Sequence, residues 1–331
     1  MNKYNILIIA ELAENIQSIK EVLENDYNIY SCNSLMEAIS LQKTAHIDLV
    51  ITDLKTNEID VFDFLQKNRA SNQDFSAMLV MTNNFNARAL LDIINKNKLL
   101  RYMLKPWSPE SLKATAKTLI DIYSLMIENK QLVDRLKENY SKTLIMLANA
   151  LEARDAFAQG HSERVGYSSK CIARRMNFPE KDLEMLYSAC LLHDIGKIGV
   201  PESILNKQGK LDDDDMIYIK AHTSMAERIL SPVPDFAEML TFIRSHHERI
   251  DGKGYPDGLR GEEIPIFSKI IAVADTFDSL TSERPFRHGI PYEEAITVLE
   301  SVRGTQLDSD IVDIFVKMLT EKNISSIWEL E

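Results

Sequence analysis

Residues 180–197, EKDLEMLYSACLLHDIGK, place apolar side chains at three- and four-residue steps, then end on a histidine–aspartate pair ahead of a glycine. That spacing predicts a helix over 180–195 whose apolar stripe faces a core. Two adjacent residues do not share one regular helical face. A helix that stops at His193-Asp194 can therefore turn both side chains toward a common centre. His246-His247 sits in the same relation to the end of another predicted helix. Segments 144–156, 162–176, 213–230, 235–247, 267–280, 291–302 and 308–321 repeat the apolar spacing, with Gly and Pro in the gaps. From Leu144 onward the chain reads as an all-α helical bundle. Ligands projecting inward from facing helices are one standard way to build a dinuclear metal site.

Five of the seven histidines lie between residues 161 and 275. His161, the pair His193-Asp194, His222, the doublet His246-His247, and Asp275 supply imidazoles and carboxylates, the ligands that suit iron, manganese and zinc. A single histidine in a helix is more often structural, so the set carries the argument. Seven groups exceed the needs of one ion and suit two ions about 3.5–4 Å apart, particularly with a bridging carboxylate. Lys197 and the run Asp251-Gly-Lys-Gly-Tyr-Pro256 add groups that can hold a phosphate beside them. The chemistry expected is metal-dependent phosphodiester hydrolysis, with the metal pair activating a water for attack at phosphorus.

The bulk properties narrow the class. A length of 331 residues predicts about two domains. Hydrophobic and charged fractions of 45% and 27% are ordinary for globular proteins. No apolar run reaches the ~20 residues that span a membrane, and the first residues lead directly into a strand without signal-peptide features. A cytoplasmic protein is expected. Cys32, Cys171 and Cys190 are odd in number and widely spaced, as buried free thiols are. The net charge of −12 argues against DNA as a partner, while leaving room for a small nucleotide held by local cations and metals.

The first 110 residues alternate in period. Apolar, β-branched runs fall at Tyr4–Ile9, Tyr27–Tyr30, Asp48–Thr52, Ala77–Thr82 and Leu99–Leu104, and amphipathic stretches near Ile16–Leu23, Leu35–Gln42, Val61–Asn68 and Ala87–Ile94. This alternation predicts a parallel sheet covered on both faces. Asp53 then lies at the carboxyl end of the third strand, where open α/β sheets place their sites. The stretch resembles the receiver domain of response regulators, a flavodoxin-like fold with a five-stranded parallel sheet. The resemblance rests on Asp53, Thr82 and Lys105-Pro106 and covers about residues 1–120. It implies Asp53 as phosphoacceptor, Thr82 as switch hydroxyl, Lys105 as partner of the phosphoryl group, magnesium at the receiver, and a sensor histidine kinase as input. Two departures weigh against phosphorylation: the usual acidic pair reads Ala10-Glu11, and Lys55-Thr56 replaces the usual Met-Pro. A docking or dimerisation module is the alternative.

Residues 121–147 contain no Pro or Gly and read as one helix. Ile122, Leu125, Asn129, Leu132, Leu136 and Thr143 follow three- and four-residue steps with one missed position, as in a short parallel coiled coil with a polar register residue. A homodimer through this segment is expected. The expected domains are a receiver over 1–120, a helical linker over 121–147 and a catalytic domain over 148–331.

His193-Asp-Ile-Gly-Lys197 and His246-His-Glu-Arg-Ile-Asp-Gly-Lys-Gly-Tyr-Pro256 closely resemble the HD-GYP family of the HD phosphohydrolase superfamily. Gly160-His-Ser-Glu-Arg-Val165, Ala274-Asp275 and Leu280-Thr-Ser-Glu-Arg-Pro285 extend the likeness over about residues 145–320. The resemblance implies hydrolysis of cyclic di-GMP to pGpG or GMP with iron or manganese. It implies that His161, His193, Asp194 and Asp275 hold one ion, that His222, His246 and His247 hold the second, and that Asp194 bridges. Relatives with a third ion carry glutamate where this chain has Phe157, so two ions are expected. Lys197, Gly254, Tyr255, Arg284 and Arg287 would contact substrate, Lys197 also assisting the departing 3′-oxygen. Two alternatives stand beside this reading: a non-catalytic cyclic di-GMP sensor acting through signalling partner proteins, and a phosphodiesterase for another cyclic dinucleotide.

Overall fold

The structure is a computed structural model, described here for residues 3–53, 76–82, 99–154, 159–207, 209–283 and 288–321. It divides into two compact units, Met1–Arg135 and Leu136–Glu331.

The first unit contains the strands β1 (Asn5–Ala10), β2 (Asn28–Cys32), β3 (Leu49–Asp53), β4 (Ala77–Thr82) and β5 (Leu100–Leu104). They form one sheet in the order β2-β1-β3-β4-β5, parallel throughout. That is the flavodoxin-like doubly wound order, which places functional groups at the carboxyl ends of the strands. β1 and β3 are central and almost wholly buried, which explains their unbroken apolar runs. Alternation sorts their side chains by face. Ile6, Ile8, Leu49 and Ile51 join one core with Ile19 and Leu23, while Leu7, Ile9 and Val50 join another with Ala38. The helices Ala13–Leu23 and Leu35–Thr44 match two of the expected amphipathic stretches. The expected helices over 61–68 and 87–94, and Lys55-Thr56, lie outside the described residues.

The expected 121–147 helix is longer at both ends, running from Pro109 to Glu152. It begins early because Ser108 and Ser111 cap each other, the N–H of each donating to the other's hydroxyl at 3.1 and 3.2 Å. Pro109 then supplies a φ preset for a first helical turn. Leu112, Ala116, Leu119 and Tyr123 are buried in the first unit's core. Leu125, Leu132 and Leu136 are 64%, 55% and 70% exposed.

The second unit is helical. Its longer elements are His161–Arg175, Glu180–Leu192, Asp213–Lys220, His222–Leu230, Ala237–Arg244, Ile266–Thr281, Tyr292–Val302 and Ser309–Glu321. The apolar stripes meet in one core that includes Val165, Ile172, Leu186, Cys190, Ile243, Ile270, Phe277 and Phe315. The expected helix 213–230 is divided at Ala221. There the side chains of His222 and Thr223 occupy the carbonyls of Ile219 and Lys220, competing with the regular backbone ladder. The expected 180–195 and 235–247 helices stop at Leu192 and Arg244, short of His193-Asp194 and His246-His247. Among the described residues, no helix is long and apolar enough to cross a membrane.

Candidate metal centre

Each histidine of the cluster enters from the end of an element. His161 is the first residue of its helix. Buried Glu152 fixes that start by accepting the backbone N–H groups of Gly160 at 2.7 Å and Ser162 at 2.9 Å. His193 caps the helix Glu180–Leu192, and Asp194 follows with φ −98° and ψ 2°, turning its carboxylate back beside the imidazole. The five-residue 3₁₀ turn Ile195–Gly199 comes next. Gly196 lies so close to the helix carrying His222 that a side-chain methyl there would overlap the His222 carbonyl and crowd the amide of Ala226. The absent side chain sets the distance between two ligand-bearing elements. His246 and His247 sit in the turn that follows Arg244.

A repeated hydrogen bond decides which ring nitrogens face inward. Nδ1 of His193, His222 and His246 each lies 2.6 Å from the backbone carbonyl three residues earlier, of Cys190, Ile219 and Ile243. A carbonyl only accepts, so each Nδ1 carries the proton and each Nε2 keeps a lone pair. Nδ1 of His161 instead meets the carboxylate of Asp278 at 2.7 Å. Carboxylate and carbonyl partners of this kind orient metal-binding imidazoles and raise their basicity.

The Nε2 atoms converge around Asp194. Its Oδ2 lies 3.8 Å from His161 and 3.5 Å from His193, and its Oδ1 lies 3.4 Å from His222. The Nε2 atoms of His222 and His246 are 3.4 Å apart. Ligands about 2.1 Å from a shared ion stand roughly 3.4 Å apart at tetrahedral angles. Two ligand groups emerge, His161–His193–Asp194 and Asp194–His222–His246–His247, each with ligand atoms within 4.8 Å of one another. Asp194 is common to both. Its Oδ1 is buried without a hydrogen-bond partner, a costly state unless a cation satisfies it. This donor set fits a pair of divalent ions. Asp275 lies beside the cluster with Oδ1 3.4 Å from His161 Nε2, outside both groups. Cys190 is buried and also belongs to neither.

Electrostatics agree with that assignment. Burial lowers the basicity of His222, places His246 well below the ordinary range, and takes His247 down to about 3. These rings are neutral ligands at physiological pH. Burial alone would raise the Asp194 carboxyl, but Lys197 and the surrounding imidazoles hold it well below its usual value. The Lys197 ammonium donates to Asp194 Oδ2 at 2.5 Å.

Beside the cluster opens a cavity of about 260 Å³, lined by His246, His247, Asp275, Gly254, Tyr255 and Lys220 among others. The Tyr255 ring centroid is 4.9 Å from that of His247, and burial raises its phenol. Lys220 Nζ stands 5.6 Å from the same ring's centroid. Gly254 packs against the backbone of Glu248 and Arg249, where a methyl would overlap. Arg284, Arg287 and Phe157 lie outside the described residues.

In the first unit, Asp53 and Lys105 form an ion pair. Both line a cavity of about 460 Å³ with Asn15, Ser18, Pro106 and Trp107. Ala10 is the strand partner of Asp53, exposed Glu11 follows it, and Thr82 ends β4. The sequence motifs did not mark the carboxylate of Asp278. Asp278 receives His161 and also a paired contact from Arg164, whose Nε and Nη2 donate at 2.5 and 3.1 Å. The Asp275-x-x-Asp278 spacing, one helical turn, was the available signal.

A receiver-like α/β unit followed by a helical unit with a two-centre His/Asp cluster defines a class of metal-dependent signalling hydrolases. Residues 145–311 match the family described as "HD domain", and the chain belongs to that family. It is 29% identical over 331 residues to the cyclic di-GMP phosphodiesterase response regulator RpfG of Xanthomonas campestris pv. campestris, covering 95% of this chain and 87% of that protein. It is 39% identical to a cyclic di-GMP phosphodiesterase of Thermotoga maritima, covering 59% of this chain and 53% of the relative. It is also 38% identical to the 3′3′-cGAMP-specific phosphodiesterase 3 of Vibrio cholerae, covering 51% of this chain and 37% of that one.

Proposed function

We propose that this protein is a response regulator whose helical unit hydrolyses cyclic di-GMP to pGpG or GMP. The observation that carries the reading is the carboxylate of Asp194 shared by two histidine groups. His161, His193, Asp194 and the adjacent Asp275 would hold one ion, and Asp194, His222, His246 and His247 the other. Iron or manganese suits this imidazole–carboxylate set. Such a pair, when bound, supplies Lewis acidity and lowers the pKa of water.

The protein's own groups do the rest. Asp278 and the three backbone carbonyls hold the imidazoles with their lone pairs inward. Tyr255 and Gly254 form the wall that shields the reacting phosphodiester from bulk water. Lys197 keeps Asp194 ionised and supplies a cation within reach of the departing 3′-oxygen. Water adds to phosphorus, the P–O3′ bond breaks, and the 3′-oxygen leaves with a proton. Arg284 and Arg287 would orient the phosphates by charge-assisted hydrogen bonds. Substituting Arg284→Ala is expected to raise KM about tenfold, roughly 1.4 kcal/mol of binding, with a smaller change in kcat. Steady-state kinetics on the wild type and variant checks this.

Ions that bind only the folded chain stabilise it by mass action, about 2.7 kcal/mol at a hundred times Kd. Chelation is therefore expected to lower Tm by several degrees. Differential scanning calorimetry of metal-loaded and chelated protein is the check, and identical Tm values would contradict a bound pair.

The likeness to a cGAMP-specific enzyme favours one second reading, a related cyclic dinucleotide as substrate. Parallel assays with cyclic di-GMP and 3′3′-cGAMP decide between them. Asp53, with Glu11, Thr82 and Lys105, would receive phosphate from a histidine kinase with magnesium, and the exposed Leu125, Leu132 and Leu136 would pair with a second copy along 121–147. This reading places the protein in the cytoplasm, where a kinase and other signalling proteins can reach it.

A further inference from the structure

Glu248 follows the histidine doublet and is buried, with 4% of the residue exposed. It belongs to neither ligand group, although it lines the same cavity as His246 and His247. Its Oε1 accepts the backbone N–H of Asp257 at 2.7 Å and of Gly258 at 3.0 Å, while Oε2 accepts that of Leu259 at 3.1 Å. Three consecutive amides thus close on one buried carboxylate immediately after Tyr255-Pro256. A second tie runs through the backbone, where the Tyr255 N–H donates to the His247 carbonyl at 3.3 Å. The close approach of Gly254 to the Glu248 backbone is a third. A buried carboxylate carries a desolvation cost that hydrogen bonds to the charged form offset. Simple packing needs no charge at this position. Three charge-assisted bonds to one turn instead fix where that turn sits, and the turn carries the Tyr255 wall of the cavity.

We infer that Glu248 is a positioning residue that locks the 254–259 loop onto the histidine doublet, so that the substrate-facing wall and the metal ligands share one rigid support. The inference rests on the cyclic dinucleotide reading for its kinetic consequence, but not for the loop hold itself. Glutamine matches the shape of glutamate but offers a single acceptor oxygen, so Glu248→Gln leaves at least one of the three amides facing an amide nitrogen. Aspartate keeps the charge on a shorter arm.

The test compares full-length wild type, Glu248→Gln and Glu248→Asp by amide hydrogen exchange, bound-metal content and kinetics with cyclic di-GMP. For Glu248→Gln, faster exchange is expected at Asp257, Gly258 and Leu259, with metal content as in the wild type. KM should rise about tenfold, the size of one lost charge-assisted hydrogen bond, with a smaller change in kcat. Glu248→Asp should fall between the two. Unchanged loop exchange in Glu248→Gln would overturn the inference, as would loss of metal and kcat at constant KM. If the wild type turns over no cyclic di-GMP, the substrate reading fails, and the exchange and metal measurements still decide the loop hold.

Discussion

Replacing Asp194 with alanine is expected to reduce turnover by on the order of 10³-fold or more and to leave the protein short of two ions per chain. The size follows from its position. Asp194 is the one carboxylate common to both ligand groups, and one of its oxygens is buried with no hydrogen-bond partner. Removing it takes a ligand from each group and also removes the carboxylate to which the Lys197 ammonium donates. Residues acting as a unit lose activity together rather than additively, so a second ligand substitution on this background should add little. Elemental analysis beside a turnover assay reads both effects. A full complement of metal with near-normal activity would contradict the bridging role.

Gly196→Ala is expected to be comparably damaging for a different reason. The added methyl meets backbone, the His222 carbonyl and the Ala226 amide, and backbone does not rotate aside as a side chain does. The 3₁₀ turn and the His222 helix must separate, which alters the spacing between Asp194 and His222, now 3.4 Å. Overpacking a well-packed site typically costs about 1–3 kcal/mol, occasionally more, and this contact belongs at the upper end. Chemical denaturation should show the lost stability, and metal analysis should show weakened retention at the His222 group. Wild-type stability together with wild-type metal content would show that the packing there is loose.

How much of this was legible in the sequence depends on the range of the interaction involved. The covered parallel sheet followed from apolar runs alternating with amphipathic stretches, and the runs of β1 and β3 are unbroken because both of their faces are buried. The helices of the second unit followed from three- and four-residue spacing, and the doublets at 193–194 and 246–247 marked two helix ends. The break at Ala221 was not legible, because apolar spacing continues through it and only side chains competing for the carbonyls of Ile219 and Lys220 produce it. Asp278 escaped notice because its partner, His161, is 117 residues distant. Nothing in the sequence marked Glu152 and Glu248 for a supporting role, because each is buried against backbone amides that folding alone brings to it. Ligands carry a signature of residue type, whereas the groups that orient them carry only position.

The most direct measurement is anaerobic incubation of the purified full chain, loaded with ferrous iron or manganese, with cyclic di-GMP, followed by chromatography of the products beside an Asp194→Ala control. The proposed function predicts metal-dependent pGpG or GMP that is absent from the control. No product from protein holding two ions per chain, or equal product from the control, would contradict it.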